Sequence, residues 1–334
     1  MQNKLYPWLL KYYEKIITML KNRRHHSILI NSSKHIGINN LIFKIKTWFF
    51  CKNIVNKYSC NTCNTCVLIK KNKYSDIYNL NLYKKIGVQL LRETIEKILL
   101  TSKHGLEKIV FIKNSDLLTD LESNILLKII EETPKNTIFI LQTYKVKNLM
   151  LTLKSRMYIV RIFDPEKKTS VKWLLKTTNF SYKDCSNALQ LSNNRPIYAK
   201  KILLNNLLKI RKNFYKILSI SIEKNNLIIL INTIEKNSIC FFLNLIYTIF
   251  LDAIKYKNNI MKHIINNDQK KLIKKITKKI KNKEIYHIIK SWMQFENNVT
   301  NIKRINYELI LLEQILKFEQ ILKNKIKNYL LPKT

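Results

Sequence analysis

The chain has 334 residues, 46% of them hydrophobic and 25% charged, which is ordinary for a globular protein and long enough for two or three domains. Its 61 lysine and arginine residues outnumber 22 aspartate and glutamate residues, and the formal net charge of +39 would attract nucleic acid or an anionic membrane. The chain is also rich in Lys, Ile, Asn and Tyr, which have AT-rich codons, so a mutational bias explains the excess charge equally well. The composition argues against a disordered protein but does not identify a partner.

No signal peptide or membrane span is predicted. Residues 1–4 are followed by an amphipathic segment, not by an apolar core and a cleavage site. The longest apolar run, residues 239–251, contains Asn244 and is too short to cross a bilayer, so it predicts a buried helix. We therefore expect a soluble, cytoplasmic protein with no membrane partner.

Two elements open the chain. Residues 6–20 carry apolar side chains at helical spacing and predict an amphipathic helix. Residues 28–30 form an apolar run after a basic turn and predict the first buried strand. The pair His25-His26 in that turn is more typical of a partly buried turn than of two ligands.

The loop after this strand, residues 31–40, occupies the place of a phosphate-binding loop. In the pattern G-x-x-x-x-G-K-[ST], backbone N–H groups surround the phosphates and the lysine reaches the terminal ones. Only Lys34 and Gly37 resemble parts of that pattern, and the residues after the glycine are Ile38-Asn39. Isoleucine cannot neutralise phosphate charge, and asparagine is a poor substitute for the hydroxyl that holds Mg²⁺. The loop predicts a degenerate nucleotide site.

A polar loop then carries four cysteines, separated by eight, two and two residues: Cys51, Cys60, Cys63 and Cys66. The two-residue gaps let successive thiolates converge on one tetrahedral ion, and four sulfurs make a closed structural site. Disulfides are disfavoured in a cytosolic chain, whereas an iron–sulfur cluster stays open because ligand softness alone does not exclude iron. We expect a structural Zn²⁺. Cys185 and Cys240 lie far along the sequence and are interpreted as ordinary thiols.

The densest pattern lies between residues 107 and 156. Apolar runs at 109–112 and 137–143 predict two buried strands, and helix patterns follow them at 124–132 and 149–153. A helical connection after each strand is the arrangement that parallel neighbours need. The segment therefore predicts an α/β domain with a parallel sheet.

The amino-acid sequence of this segment resembles that of a known family. The pattern N-x-LLK-x-x-EE-x-P at residues 124–134, followed by a strand and a leucine-spaced helix ending in Ser155-Arg156, resembles the core of AAA+ clamp-loader subunits. The opening letters YPWL and the histidine pair resemble the delta-prime subunits of bacterial DNA polymerase III clamp loaders in particular. That family and its ATPase relatives carry a zinc module where the four cysteines lie. The resemblance is dense up to Arg156 and sparse after Pro165.

The resemblance implies three domains. Residues 1–164 would form a RecA-like AAA+ domain with a zinc module at 51–66, residues 165–206 a small helical lid, and residues 207–334 a helical collar. The absence of strand alternation in the last part fits helices throughout. The motif at Ser155-Arg156 implies that Arg156 is an arginine finger acting in a neighbouring subunit.

The resemblance also implies a second defect in the nucleotide site. The carboxylate that would hold Mg²⁺ falls at Lys113 or Asn114, which carry the wrong charge or none. In the lid, Ile197 takes the place of the family's nucleotide-contacting arginine, although Arg195 is nearby. No functional ATP site is expected.

The implied function is that of a non-catalytic stator subunit of the replicative clamp loader. The chain would lie in a hetero-oligomeric ring with ATP-hydrolysing subunits and the delta subunit. The ring loads the sliding clamp onto primed DNA, so this chain would meet the clamp and the primer-template DNA through the complex.

Two alternatives stay open. An ATP-hydrolysing clamp-loader subunit is opposed by the loop at 31–40 and by Lys113-Asn114. A free-standing zinc-containing DNA-binding protein would use the charge and the cysteines, but it would not need the clamp-loader motifs. The lysine-rich segment 270–280 predicts an exposed amphipathic helix, for which a DNA-facing role is the minor interpretation. Residues 301–311 resemble the family's last collar helix.

Overall fold

The structure, a computed structural model, describes residues 5–22, 25–82, 88–100, 102, 107–134, 136–234, 239–301 and 307–322. It divides into two compact units, Met1–Lys201 and Ile202–Thr334. The lid at 165–206 and the collar at 207–334, as separate domains, stay predictions.

The first unit is an α/β structure. Its strands are β1 (Ser27–Ser32), β2 (Ile54–Val55), β3 (Tyr58–Ser59), β4 (Ile77–Asn81), β5 (Lys108–Lys113), β6 (Thr137–Thr143) and β7 (Tyr158–Ile162). Its helices are α1 (Leu10–Lys21), α2 (Ile38–Phe49), α3 (Asn64–Lys70), α4 (Val88–Leu99), α5 (Asp120–Glu131), α6 (Leu151–Ser155), α7 (Lys167–Thr177), α8 (Tyr182–Leu191) and the greater part of α9 (Pro196–Leu204). The apolar runs predicted as strands at 109–112 and 137–143 are β5 and β6.

Five strands form one parallel sheet in the order β4-β5-β6-β1-β7. Strand β6 lies between β1 and β5, so the loop after β1 and the end of β5 open on the same edge but are one strand apart. This order confirms the predicted RecA-like sheet. The short strands β2 and β3 form a separate antiparallel hairpin.

Both faces of the sheet are buried, as continuous apolar strands require. Alternate residues such as Ile28, Ile30 and Ile140 pack with α1 and α2 on one face. Their sequence neighbours, such as Leu29 and Leu141, pack with α4, α5 and α6 on the other face. The sheet is therefore a rigid support for the loops at its edge.

The second unit is helical in every described residue that has regular structure. Its helices are α10 (Leu207–Lys224), α11 (Ile239–Lys257), α12 (Lys270–Lys279), α13 (Asn282–Asn301) and α14 (Tyr307–Leu322). Helix α12 buries Leu272, Ile273 and Ile276, which confirms the predicted amphipathic helix. In the described part of the chain, none of the helices combines the length and apolar content needed to cross a membrane.

Several boundaries differ from the sequence predictions. Helix α5 begins at Asp120, four residues before the predicted start, because Thr119 and Glu122 form a reciprocal capping box. The helix predicted at 149–153 is the short α6, which begins two residues later, at Leu151, and ends at Ser155. A 3-10 turn at Val146–Asn148 precedes it. Of the helix expected at 301–311, residues 302–306 lie outside the described part, and α14 begins at Tyr307.

Candidate functional site

The four predicted metal ligands come together at the junction of α2, the β2–β3 hairpin and α3. Their Sγ atoms all lie within 4.8 Å of one another, and each residue is a free thiol: Cys51, Cys60, Cys63 and Cys66. Cys51 follows the last turn of α2, Cys60 follows β3, and Cys63 is the N-cap of α3. Zn–S bonds of roughly 2.3 Å place tetrahedral sulfurs about 3.8 Å apart. The cluster could hold a metal ion.

Backbone amides already point at the sulfurs. The N–H of Cys60 donates to Sγ of Cys51 at 3.3 Å, and the N–H of Cys63 donates to Sγ of Cys60 at 3.4 Å. The second of these bonds lowers the pKa of the Cys60 thiol, whereas burial raises the pKa of the Cys51 and Cys66 thiols. Because a metal binds the thiolate, binding to this cluster would release protons.

Cys185 takes no part in this cluster. Cys185 is buried in α8, where its sulfur lies 3.9 Å from the hydroxyl of Thr178, and it behaves as a core thiol. The side chain of Cys240 lies outside the described part of the structure.

The loop between β1 and α2 is filled by a side chain of the protein itself. Gly37, the N-cap of α2, has a φ of 96°, in the left-handed region. A Cβ added there would lie 2.4 Å from two ring carbons of Tyr6 and 3.1 Å from Cδ1 of Ile197. The glycine is therefore needed both for its conformation and for the close approach of the Tyr6 ring.

An aromatic cluster fixes Tyr6 in this place. Its ring stacks on Trp8 with centroids 5.1 Å apart and meets Trp173 edge-on at 5.6 Å. The indole N–H of Trp8 donates to the carbonyl of Ile36, inside the loop, at 2.8 Å. Aromatic rings and an apolar side chain thus pack against the loop that follows β1.

The end of β5 carries no carboxylate. Lys113 is the last residue of the strand, and Asn114, which follows it, is buried and has a φ of 58°. The side-chain N–H of Asn114 donates to Oδ1 of Asn81, on β4, at 3.1 Å. An amine and an amide at this position cannot replace an anionic Mg²⁺ ligand.

The residues of the predicted lid that lie beside the loop are mixed in character. Ile197 contributes an apolar atom next to Gly37. His35, in the loop, stacks on Tyr198 with ring centroids 5.4 Å apart, and burial, followed by the charges of Lys201, Arg195 and Lys34, lowers its pKa.

Arg156 lies at the C-terminal end of α6 with its side chain 42% exposed. The guanidinium forms an ion pair with Glu131, the last residue of α5, and Nη1 donates to the carbonyl of Thr152 at 3.3 Å. The Arg156 carbonyl accepts a hydrogen bond from Ser27, at the start of β1. The backbone at this position is thus fixed to the sheet while the charged end of the side chain reaches solvent.

Sequence reasoning missed two features. The contact of Tyr6 with Gly37 joins residues that are distant in sequence, and the letters YPWL gave no sign of it beyond an aromatic at a helix start. Lys46, on α2, is 7% exposed, which is rare for a lysine, and it was not singled out from the sequence.

Each unit matches a family model. The family described as "DNA polymerase III, delta subunit" matches residues 9–166, in the first unit. The family described as "DNA polymerase III, delta subunit, C terminal" matches residues 205–320, in the second unit.

Two curated relatives that match nearly the whole chain carry the same name. The DNA polymerase III subunit delta' of Buchnera aphidicola subsp. Acyrthosiphon pisum is 36% identical over 96% of this chain and 99% of its own length. The subunit delta' of Escherichia coli K12 is 26% identical over 95% of this chain and 96% of its own length. The E. coli subunit tau is 24% identical over only 43% of this chain and 23% of its own length.

Among solved structures, a DNA polymerase III gamma subunit-related protein of Thermotoga maritima aligns over 93% of this chain and 99% of its own, with 15% identity and a TM-score of 0.46. The sequence match extends over 96% of the chain, and the two family models match residues in both units. The chain belongs to the family of delta' subunits of DNA polymerase III.

Proposed function

We propose that this chain is a non-catalytic subunit of the replicative clamp loader. It helps other subunits to load the sliding clamp onto primed DNA at the expense of ATP, and it hydrolyses no ATP itself. In this role it is part of the DNA polymerase holoenzyme, a nucleotidyltransferase, without contributing a nucleotidyltransferase site.

The observation that carries this role is the Tyr6 ring packed against Gly37. A phosphate chain would need the space that the ring and Ile197 occupy. The loop also lacks the lysine and hydroxyl that would follow the glycine, since Ile38 and Asn39 stand there. Two further positions, Lys113 and Asn114, offer no metal-binding carboxylate. These features support a subunit that cannot complete its own ATP site.

Arg156 is the residue through which the chain would act on a neighbour. Its guanidinium is exposed at the end of α6, and its partner Glu131 is exposed as well, so the ion pair can open at little cost in free energy. A planar guanidinium can then lie against the γ-phosphate of ATP bound to the adjacent subunit and stabilise the charge of the transition state.

The cysteine cluster would hold one structural Zn²⁺ through Cys51, Cys60, Cys63 and Cys66. Four sulfur ligands leave no coordination position for water, so the ion would tie the hairpin to α2 and α3 without catalysing a reaction.

The partners follow from the same role. Subunits named gamma and tau match 42% and 43% of this chain, which supports a hetero-oligomeric clamp-loader ring built from related subunits. The delta subunit would be a further member of the ring, and the sliding clamp and primer-template DNA would be met through the complex. The predicted three domains, with the lid at 165–206 between the other two, belong to this proposed architecture.

The test is reconstitution of the complex with an Arg156→Ala variant. Arginine fingers are worth about 10³–10⁵ in rate at the site that they complete. We expect the complex to assemble and the rate of clamp loading to fall by at least about tenfold, because one ATP site of the ring loses its finger. Arg156→Lys should restore little, since a point charge cannot replace the planar fork. Normal assembly with full-rate loading by the Ala variant would show that Arg156 is not a finger.

A further inference from the structure

A cavity of about 460 Å³ lies beside the sheet, between α2 and the ends of β4 and β5. This volume falls in the range of small-molecule sites. Its apolar wall includes the aromatic rings of Tyr74 and Phe111, and its polar groups include the amides of Asn39 and Asn79. The proposed role in clamp loading makes no use of it.

Lys46 supplies a buried amine to the lining of this cavity. Lys46 lies on α2 and is 7% exposed. Its Nζ donates a hydrogen bond to Oδ1 of Asn79 and lies 4.3 Å from the centroid of the Phe111 ring. Burial lowers the pKa of this amine to about 7. A buried ammonium is costly unless it is paired, and an amide and a ring compensate for its desolvation only in part.

The cavity offers positive charge without a carboxylate. In the described part of the chain, the ionisable side chains that line it are Lys46, Lys113 on β5, and Tyr74 before β4; α3 adds only Ile69. Burial raises the pKa of Tyr74, so its phenol is neutral near pH 7. The asparagine amides can donate further hydrogen bonds. An oxyanion would therefore find two amines and several N–H donors, and it would add a negative charge to the amide and the ring that Lys46 already contacts.

We infer that this cavity binds a small molecule that carries an oxyanion, a phosphate or a carboxylate, on an aromatic or apolar body. The oxyanion lies between Lys46 and Lys113, and the body packs against Phe111 and Tyr74. The cavity adjoins the degenerate nucleotide site, since Asn39 of the loop at 31–40 and Lys113 line it, but Gly37, Tyr6 and Ile197 are not among its lining residues.

Phenyl phosphate, benzoate and inorganic phosphate are suitable probes for the purified full chain, measured by calorimetry in phosphate-free buffer. Comparing phenyl phosphate with benzoate shows which oxyanion, phosphate or carboxylate, the cavity prefers. Comparing phenyl phosphate with inorganic phosphate shows how much the aromatic body contributes to the affinity. We expect saturable binding of at least one aromatic probe at pH 6.5, and tighter binding than that of inorganic phosphate.

Binding should weaken as the pH rises. The oxyanion binds to the protonated amine of Lys46. Above the pKa of the free amine, binding therefore requires that Lys46 also take up a proton. Affinity should therefore fall by about tenfold for each pH unit above the pKa of the free amine. A protein in which Lys46 plays no part would show no such fall between pH 6.5 and pH 8.5.

Three variants complete the test. Lys46→Met keeps the length and apolar stem of the side chain and should abolish binding without unfolding the protein. Asn79→Asp keeps Lys46 but supplies a carboxylate within the cavity, which should also reduce binding at least about tenfold by competing with the ligand. Lys70→Met removes an exposed lysine of α3 outside the cavity and should leave binding unchanged. Saturable binding by Lys46→Met equal to that of the unmodified chain would overturn the inference, as would the failure of all three probes to bind that chain.

Discussion

At the scale of single residues, the proposed loss of the nucleotide site rests on replacement and not only on deletion. Tyr6 takes the space beside Gly37, Ile38 takes the position of the phosphate-binding lysine, and Lys113 takes that of the metal-binding carboxylate. Because these changes are independent, restoring one of them restores little. The pair Ile38→Lys with Asn39→Thr should not give turnover, since Lys113 still repels Mg²⁺.

Glu131 provides a matched control for Arg156. The two side chains are 38% and 42% exposed, and exposed ion pairs contribute about 0–1 kcal/mol to stability. Glu131→Gln should therefore leave the unfolding temperature nearly unchanged and free the guanidinium. The reconstituted complex should load clamps at least as fast as with the unmodified chain. A rate as low as that of Arg156→Ala would assign the effect to the ion pair and not to a finger.

At the scale of elements, much of the first unit could be predicted because its strands are continuous apolar runs. Strand β6 spans Thr137–Thr143, the predicted residues, and β5 extends the predicted run by one residue at each end. The spacing of the cysteines was enough to predict that they meet. The start of α5 was missed because the capping box at Thr119 was overlooked in the sequence.

Other features could not be predicted because they depend on tertiary contacts. Tyr6 reaches Gly37 only when the turn at Pro7–Leu9 and the loop after β1 are brought together. Lys46 follows a helical pattern that is compatible with solvent exposure, and only the packing of α2 against β4 and β5 buries its amine. No local sequence pattern predicts either of these contacts.

The zinc module should be an element held by its metal. Protein purified without chelator should contain about one equivalent of zinc, and Cys63→Ser should lose it while the parallel sheet stays folded. Acidification should release the zinc, because protons compete for the thiolates. Elemental analysis for zinc and iron measures the outcome. A small fraction of an equivalent of zinc, with disulfides found by mass spectrometry, would contradict the assignment. Stoichiometric iron would show that the four cysteines hold an iron–sulfur cluster and not zinc.

Helix α5 offers a test of the core. Leu126 is 1% exposed and packs in the cluster on one face of the sheet, whereas Leu121, on the same helix, is 68% exposed. Leu126→Ala should lower the free energy of unfolding by about 2–5 kcal/mol. Leu121→Ala should change it by less than about 0.5 kcal/mol. Chemical denaturation of the two variants measures the difference, and equal losses would place α5 elsewhere than on the sheet.

At the scale of the whole molecule, the account makes the chain a structural member of an assembly that other subunits power. In the proposed role, its core and a zinc ion at the cysteine cluster would hold the fold together, and the exposed Arg156 would be the group offered to a neighbour. Such a protein should be inactive alone and necessary in the complex. An independent DNA-binding protein would show the opposite behaviour and bind DNA without partner subunits.

ATP hydrolysis by the purified chain alone is the most direct test of the central claim that it has no catalytic site of its own. Turnover is measured with Mg²⁺ and saturating ATP, beside a Gly37→Ala variant of the same chain. The account predicts that both proteins remain at the background rate, even if some nucleotide binds weakly. Turnover above background by the unmodified chain, abolished by Gly37→Ala, would contradict it.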